Sequence, residues 1–560
     1  MSNKTLKRIK ISFGREVMRE RKFWGWGFQD QVLSKEEEES VEKRIAQNFG
    51  LNEVEALPIP LAKDIELPKA KVIPPETLKN LLSDDQIERL NHTYGKSFPD
   101  VARAMLGLFP NPPDLVAFPN NQEEVVNILD WANENNIAVV PYGGGSSVCG
   151  GVETDVGDDY SAVISLDLRN LNQVLEIDKS SRAARIQAGI FGPALEDELK
   201  KSNLTLRHFP QSFEHSTLGG WIATRSGGHF ATLYTHIDDF VESTTMVTPS
   251  GVIESRRLPG SGAGPSPDRM VIGSEGILGV ITEAWMRLQE RPNFRASCPV
   301  LFDDYEDALN ATRLISQSAL FPANCRLLDA NEALFNGAGD GSKHLLILSF
   351  ESADHDMDAW LKRSLEIASE AGGQYELPEE RKEDAHKSGA SGTWRNSFIR
   401  APYYREASVR RGIIQDTFET AITWDKGFEF IETLKERASK AIKEISGKES
   451  TVTCRLTHTY PDGLAPYFSY TAYATPSTMI DVWKNIKIAT NQICVEHGGT
   501  VTHHHAVGRD HRVKGYDLQR PEGFKDMLVS AKLGVDPRSI MNPGVLIDPK
   551  GKKHKNWMED

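Results

Sequence analysis

Apolar residues recur along this chain with two periods, and the changes of period mark its elements. Val125, Ile128, Leu129 and Ala132 follow at i, i+3, i+4 and i+7, the apolar stripe of one helix. Asn121 stands where an N-cap belongs, with Glu123 and Glu124 in the first turn. Short apolar runs at 114–119 and 137–140 flank that helix and read as strands. Further strands are expected at 162–166, 174–177 and 184–187. Beyond residue 291 the runs lengthen. Strands are expected at 344–350, 409–418, 452–457 and 467–474, and helices at 356–371, 428–445 and 482–496. That half reads as an antiparallel sheet covered by helices.

The strand at 137–140 runs straight into Pro141-Tyr142-Gly143-Gly144-Gly145-Ser146-Ser147. Three glycines let the backbone take φ > 0 and approach a ligand closely. Turn N–H groups and two serine hydroxyls make an anion site, suited to phosphate or pyrophosphate. A plain glycine-rich turn is the other reading, because no dinucleotide G-x-G-x-x-G or Walker lysine is present. Two more glycine segments follow. One carries Pro210, Gln211, Ser212, Ser216, Thr217, Gly220, Ala223, Thr224, Arg225 and Ser226; the other carries Glu275, Gly276, Gly279, Val280 and Ile281. Three such segments so close together suggest a long dinucleotide that touches backbone in several places.

With 560 residues, 39% apolar and 26% charged, the chain has room for two or three globular domains. A net charge of −14 argues against nucleic acid as a partner. Five scattered cysteines, never in C-x-x-C, point to a reducing, cytoplasmic compartment. Neither a membrane span nor a secretory signal is read, and the C-terminus carries no peroxisomal address. Peripheral membrane contact is kept open by Arg15, Arg19, Arg21 and Lys22 leading into Phe23-Trp24-Gly25-Trp26-Gly27-Phe28. Packing of those rings on the protein's own surface is the alternative.

Several stretches together resemble the alkyldihydroxyacetonephosphate synthase family, within the FAD-binding vanillyl-alcohol oxidase and p-cresol methylhydroxylase superfamily. Trp24–Phe28 is similar to that family's W-G-W-G-Y, and Ser216–Ile222 to its flavin segment. Asp416–Thr420 with Trp424-Asp425-Lys426 resembles E-S-F-E-T-S-x-P-W-D-R. Cys454–Tyr460 resembles C-R-V-T-Q-T-Y, and His503–Gly508 resembles H-H-H-G-V-G with Ala506 in place of glycine. The ending Met541-Asn542-Pro543-Gly544 looks more like flavin-linked D-lactate dehydrogenases.

The implied fold is α+β: a two-subdomain PCMH-type FAD-binding domain, an antiparallel-sheet cap covered by helices, and a helical N-terminal leader. The expected divisions are leader and linker 1–95, flavin domain 96–290, cap 291–500, and a segment 501–560 returning to the flavin domain. The resemblance implies that a fatty alcohol replaces the acyl group of 1-acyl-dihydroxyacetone phosphate, giving an ether lipid with no net redox. It also implies a homodimer. Noncovalent FAD is expected, because Ser147 stands where covalent members carry histidine. A flavin-dependent 2-hydroxy-acid dehydrogenase of D-lactate or glycolate type is the alternative.

The same resemblance assigns Tyr467 as proton acceptor, Arg326 as an essential cation and Arg405 as a substrate-binding one. Read from residues alone, Tyr467 is equally a packing aromatic, and both arginines equally salt-bridge partners. His503, His504 and His505 are catalytic candidates as donors or proton relays. On a strand, His503 and His505 would converge and His504 would point away; a loop would change that. No metal is expected, since no fourth ligand with suitable spacing is evident. Phe468, Leu278 and Trp24–Phe28 are candidates for the wall of a fatty-chain channel.

Overall fold

The computed structural model describes residues 20–234, 236–377, 400–552 and 556–559. In the first half, the apolar runs become the parallel strands Leu115–Ala117, Ala162–Asp167 and Ile137–Tyr142, with Leu82–Ser83 as an antiparallel edge. The helix Gln122–Glu134 buries Val125, Ile128, Leu129 and Ala132. Asn121 caps it by accepting the Glu124 N–H at 2.9 Å. A second, five-stranded antiparallel sheet runs in the order Val174–Asp178, Ala183–Gln187, Val280–Arg287, Val241–Thr248, Gly251–Glu254. One apolar core joins both sheets. The chain's end returns here: Val139 N–H donates to Ile540 O and Asn542 N–H to Val139 O, each at 2.8 Å.

The second half forms a seven-stranded sheet in the order Phe294–Phe302, His344–Ser352, Asn324–Leu328, Val452–Thr459, Gly463–Ala472, Ile414–Glu419, with Ile422–Thr423 also pairing with Gly463–Ala472. All its pairs are antiparallel. Alternation along the strands sorts the side chains. Cys325, Leu327, Cys454, Leu456 and Phe468 enter the core shared with the helices Tyr305–Ser316, Gly427–Ser446 and Met479–Glu496. Arg326, Arg455, Thr457 and Tyr467 take the opposite face and line a cavity. Residues 90–109 also pack into the cap core, through Leu90, Tyr94, Phe98 and Phe109.

Two expectations change. The strand at 409–418 begins only at Ile414, because residues 400–409 are helical and the chain turns through Gly412 at φ +72°. The aromatic leader is not offered to a lipid surface. Phe23, Trp24 and Trp26 are buried, and Lys22 is buried against Glu406 at 2.9 Å. Among the described residues, no helix is long and apolar enough to cross a membrane.

Candidate active site

The two halves enclose a cavity of about 2100 Å³. This exceeds the roughly 300–1,000 Å³ of an ordinary small-molecule site. Gly143, Gly144, Gly145, Ser146 and Ser147 wall one side together with Pro210, Gln211, Ser212, Ser216 and Thr217. Their closeness requires glycine. A Cβ at Gly144 would sit 1.8 Å from the His215 carbonyl oxygen, and one at Gly143 would sit 2.3 Å from Thr217 Oγ1. Gly220, Thr224 and Ser226 continue that wall.

Other predicted residues stand outside the cavity and hold the wall from behind. Tyr142 donates its hydroxyl to Asn91 O at 2.9 Å. Gly276, at φ +80°, packs on Pro141, and Gly279 lies against the Val247 carbonyl. The Ala223 carbonyl accepts the Glu275 N–H at 2.9 Å. Arg225 is paired with Asp238. Val280 and Ile281 are buried strand residues of the flavin half. Glu275 accepts N–H groups of Val507 and Gly508, at 2.9 and 2.7 Å, and so ties the segment after the histidines to this half. The glycine segment 272–282 thus lies packed behind that wall.

Opposite the glycines stands the sheet face. Arg455 and Tyr467 are cross-strand partners, as are Tyr467 and Glu419. Thr417 donates to Tyr467 Oη at 3.0 Å. Burial pushes the Tyr467 phenol up to about 12, against the pull of Arg455. Arg455 is held by Glu332, which is fully buried. Arg326 is buried beside it. Desolvation, then the charge of Arg455, lowers its pKa to about 9. Arg405 also lines the cavity and pairs with Asp416 at 3.4 Å. Phe468 stacks on Phe418 with ring centres 4.6 Å apart, and Leu278 lies in the flavin-half core. Neither lines the cavity, whereas Trp26 does.

The histidine triplet does not form a strand. Glu419 Oε1 accepts the backbone N–H groups of His503, His504 and His505 at 3.0, 2.8 and 2.7 Å, which curls the segment around one carboxylate. His504 and His505 therefore flank Tyr467, with ring centres 6.0 and 5.4 Å away. His503 is the one that turns aside, its Nε2 lying 2.9 Å from Tyr460 Oη. Burial lowers the His505 pKa to about 4, although Glu419 opposes it.

An FAD binding domain model matches residues 113–255, and a model of the C-terminal domain of FAD linked oxidases matches residues 291–546. Alkyldihydroxyacetonephosphate synthase of Dictyostelium discoideum is 32% identical, across 86% of this chain and 80% of that protein. The chain belongs to the alkyldihydroxyacetonephosphate synthase family. The Trypanosoma brucei brucei synthase is 29% identical across 90% of this chain and 85% of its own length. A solved alkyldihydroxyacetonephosphate synthase superposes with a TM-score of 0.76 at 26% identity, covering 93% of this chain and 98% of its own. The 2-hydroxy-acid alternative draws weaker likeness, 26% identity to glycolate oxidase subunit GlcD of Bacillus subtilis.

The chain is an FAD-dependent enzyme, and its glycine wall fits that cofactor. Within the described residues, the amides of Gly144, Gly145 and Ser146 donate to no protein acceptor, which leaves N–H groups for a pyrophosphate. Gly143–Ser147 and Pro210–Thr217 would hold it.

Sequence reasoning passed over Arg455, His458, Glu332 and Glu419. Arg455 and His458 lay inside a motif that was noted only as a whole. The available signal was alternation: Arg455 and Thr457 fall on the face opposite Cys454 and Leu456. Glu419 likewise lay inside the quoted Asp416–Thr420 motif, whereas Glu332 gave no signal, since its partners are distant in the chain.

Proposed function

We propose that this chain is an alkyl transferase that exchanges the acyl group of 1-acyl-dihydroxyacetone phosphate for a fatty alcohol. The supporting observation is one wall that carries Tyr467, Arg455 and Arg326, facing a glycine cradle inside a single cavity. The flavin, held without a covalent bond, supplies an electron sink for the carbon beside the ketone. Tyr467 accepts the proton from that carbon. Burial holds its phenol in the protonated form, so Tyr467 gives its own proton to the imidazole of His504 or His505 beside it as it takes the one from carbon. Arg326 meets the phosphate dianion, whose charge restores what burial and Arg455 take from the guanidinium. Arg405 assists from the same cavity. The bond from the first carbon to the acyl oxygen breaks, and the carboxylate leaves with the electron pair. The alcohol oxygen bonds to that carbon and loses its proton, and the proton first taken from the carbon is returned to it, so no electrons are gained or lost overall.

Incubation of the flavoprotein with acyl-dihydroxyacetone phosphate and a labelled fatty alcohol should yield labelled ether lipid with no electron acceptor consumed. Bleaching of the flavin by D-lactate or glycolate, with no ether formed, would overturn the proposal.

A further inference from the structure

We infer that His458, His503 and His504 form a three-imidazole binding site for one divalent transition-metal ion of the zinc type. One ring nitrogen from each histidine lies within 4.8 Å of the others. His503 Nδ1 and His504 Nδ1 are 3.1 Å apart. Two nitrogens on one tetrahedral zinc, each bonded at roughly 2.0–2.1 Å, stand about 3.3 Å apart. The ring centre of His458 lies 5.0 Å from that of His503 and 5.1 Å from that of His504.

Glu419 supplies the second, independent observation. Its Oε1 is fully used, since it accepts three backbone N–H groups and the Thr502 hydroxyl. Its Oε2 is buried, makes no hydrogen bond, and lies 2.7 Å from His504 Nδ1. A proton on His504 Nδ1 can serve either His503 or Glu419. An ion held by the three imidazoles would have the charge of Glu419 next to its His504 ligand, which favours a cation. Three imidazoles with an open fourth position suit zinc, and disfavour magnesium or calcium, which prefer all-oxygen shells. His458 now contacts the Thr457 hydroxyl and the Gly228 carbonyl, each at 3.1 Å, and one of these contacts gives way. Sequence spacing could not reveal the set, because its members come from the end of one strand and from the curled triplet. The resembled motif carries glutamine where His458 stands, so the third imidazole is a feature of this chain.

Bound metal would occupy His504, which flanks Tyr467, and so inhibit the enzyme. The binding itself does not depend on which reaction the cavity runs.

The test uses the FAD-loaded full-length protein, stripped with a chelator and titrated with Zn²⁺ by calorimetry. One equivalent should bind saturably, undisturbed by Mg²⁺. His458→Gln should weaken it at least tenfold, about the effect of disturbing even an outer-shell partner, whereas His505→Gln should not. Absence of saturable binding, equal affinity in His458→Gln, or loss in His505→Gln alone would overturn the inference. Should His458→Gln fail to fold, Co²⁺ added to the parent decides: tetrahedral visible bands support the site, and an octahedral spectrum sinks it.

Discussion

Arg455 lies over the ring of its cross-strand partner Tyr467, guanidinium carbon to ring centre 4.0 Å. The same arginine neutralises Glu332, which is fully buried on the far side. One side chain therefore supports both the Tyr467 phenol and the fold. Arg455→Met should cost about 3–5 kcal/mol, because it strands a buried carboxylate. Adding Glu332→Gln should restore part of that stability without restoring activity. Denaturant midpoints for the single and double variants check this; equal midpoints would mean that Glu332 finds another partner.

Tyr467→Phe keeps the ring, its contact with Arg455 and its place between His504 and His505, and removes only the hydroxyl. Stability should change by less than about 1 kcal/mol, the net worth of one hydrogen bond. Ether formation should fall roughly 10²–10⁴-fold, the usual contribution of a positioned proton acceptor. Equal product yield from variant and parent would remove Tyr467 from the chemistry.

Much of the scaffold was legible because local signals agreed. Asn121 and the stripe from Val125 to Ala132 marked the helix, and short apolar runs marked strands such as Ile137–Tyr142, Ala162–Asp167, His344–Ser352 and Val452–Thr459, whereas Val241–Thr248, Val280–Arg287, Phe294–Phe302 and Asn324–Leu328 were not read. The histidines were legible as residues but misleading as geometry. Strand spacing pairs His503 with His505, yet a carboxylate 84 residues earlier gathers three consecutive N–H groups and brings His504 and His505 together. Long-range hydrogen bonding of this kind leaves no periodic trace. The aromatic leader left two readings open for a similar reason: what buries Trp24 and Trp26 includes Glu406, from a distant helix, which holds Lys22 and the Trp26 N–H.

Glu275 gives a pH dependence of stability. Burial raises its pKa to about 7, although the N–H groups of Val507 and Gly508 oppose the shift. An unfolded glutamate titrates near 4.3. A pKa raised on folding adds stability that is complete below the unfolded value and is lost as pH rises through the folded one. The loss should therefore run from about pH 4 to pH 7 and amount to roughly 3–4 kcal/mol. Glu275→Gln cannot ionise, so its stability should fall less over that window. Parallel stability curves for parent and variant would show that Glu275 is ionised throughout.

Ala506 adopts φ +71°, a left-handed conformation that disfavours a side chain. The resembled motif has glycine there. Ala506→Gly relieves strain of roughly 1–2 kcal/mol but loosens the unfolded chain by about 0.4–1 kcal/mol. A net gain of about 0.5–1 kcal/mol should appear in denaturant unfolding. A loss would mean that the buried methyl contributes more than its backbone conformation costs.

Gly144 admits no side chain. The nearest obstacle to its Cβ is the His215 carbonyl oxygen, 1.8 Å away, and Ser216 Cα lies 2.9 Å away, so backbone must move rather than a flexible side chain. Opening that contact separates the hinge from the segment Pro210–Thr217 and disperses the unpaired amides that suit a pyrophosphate. Gly144→Ala should therefore fold with its flavin largely lost, seen as a falling ratio of flavin to protein absorbance. The cap sheet, which packs on a different core, should keep its secondary structure by circular dichroism. A variant that retains one FAD per chain would mean that the hinge yields without cost and is not what grips the cofactor.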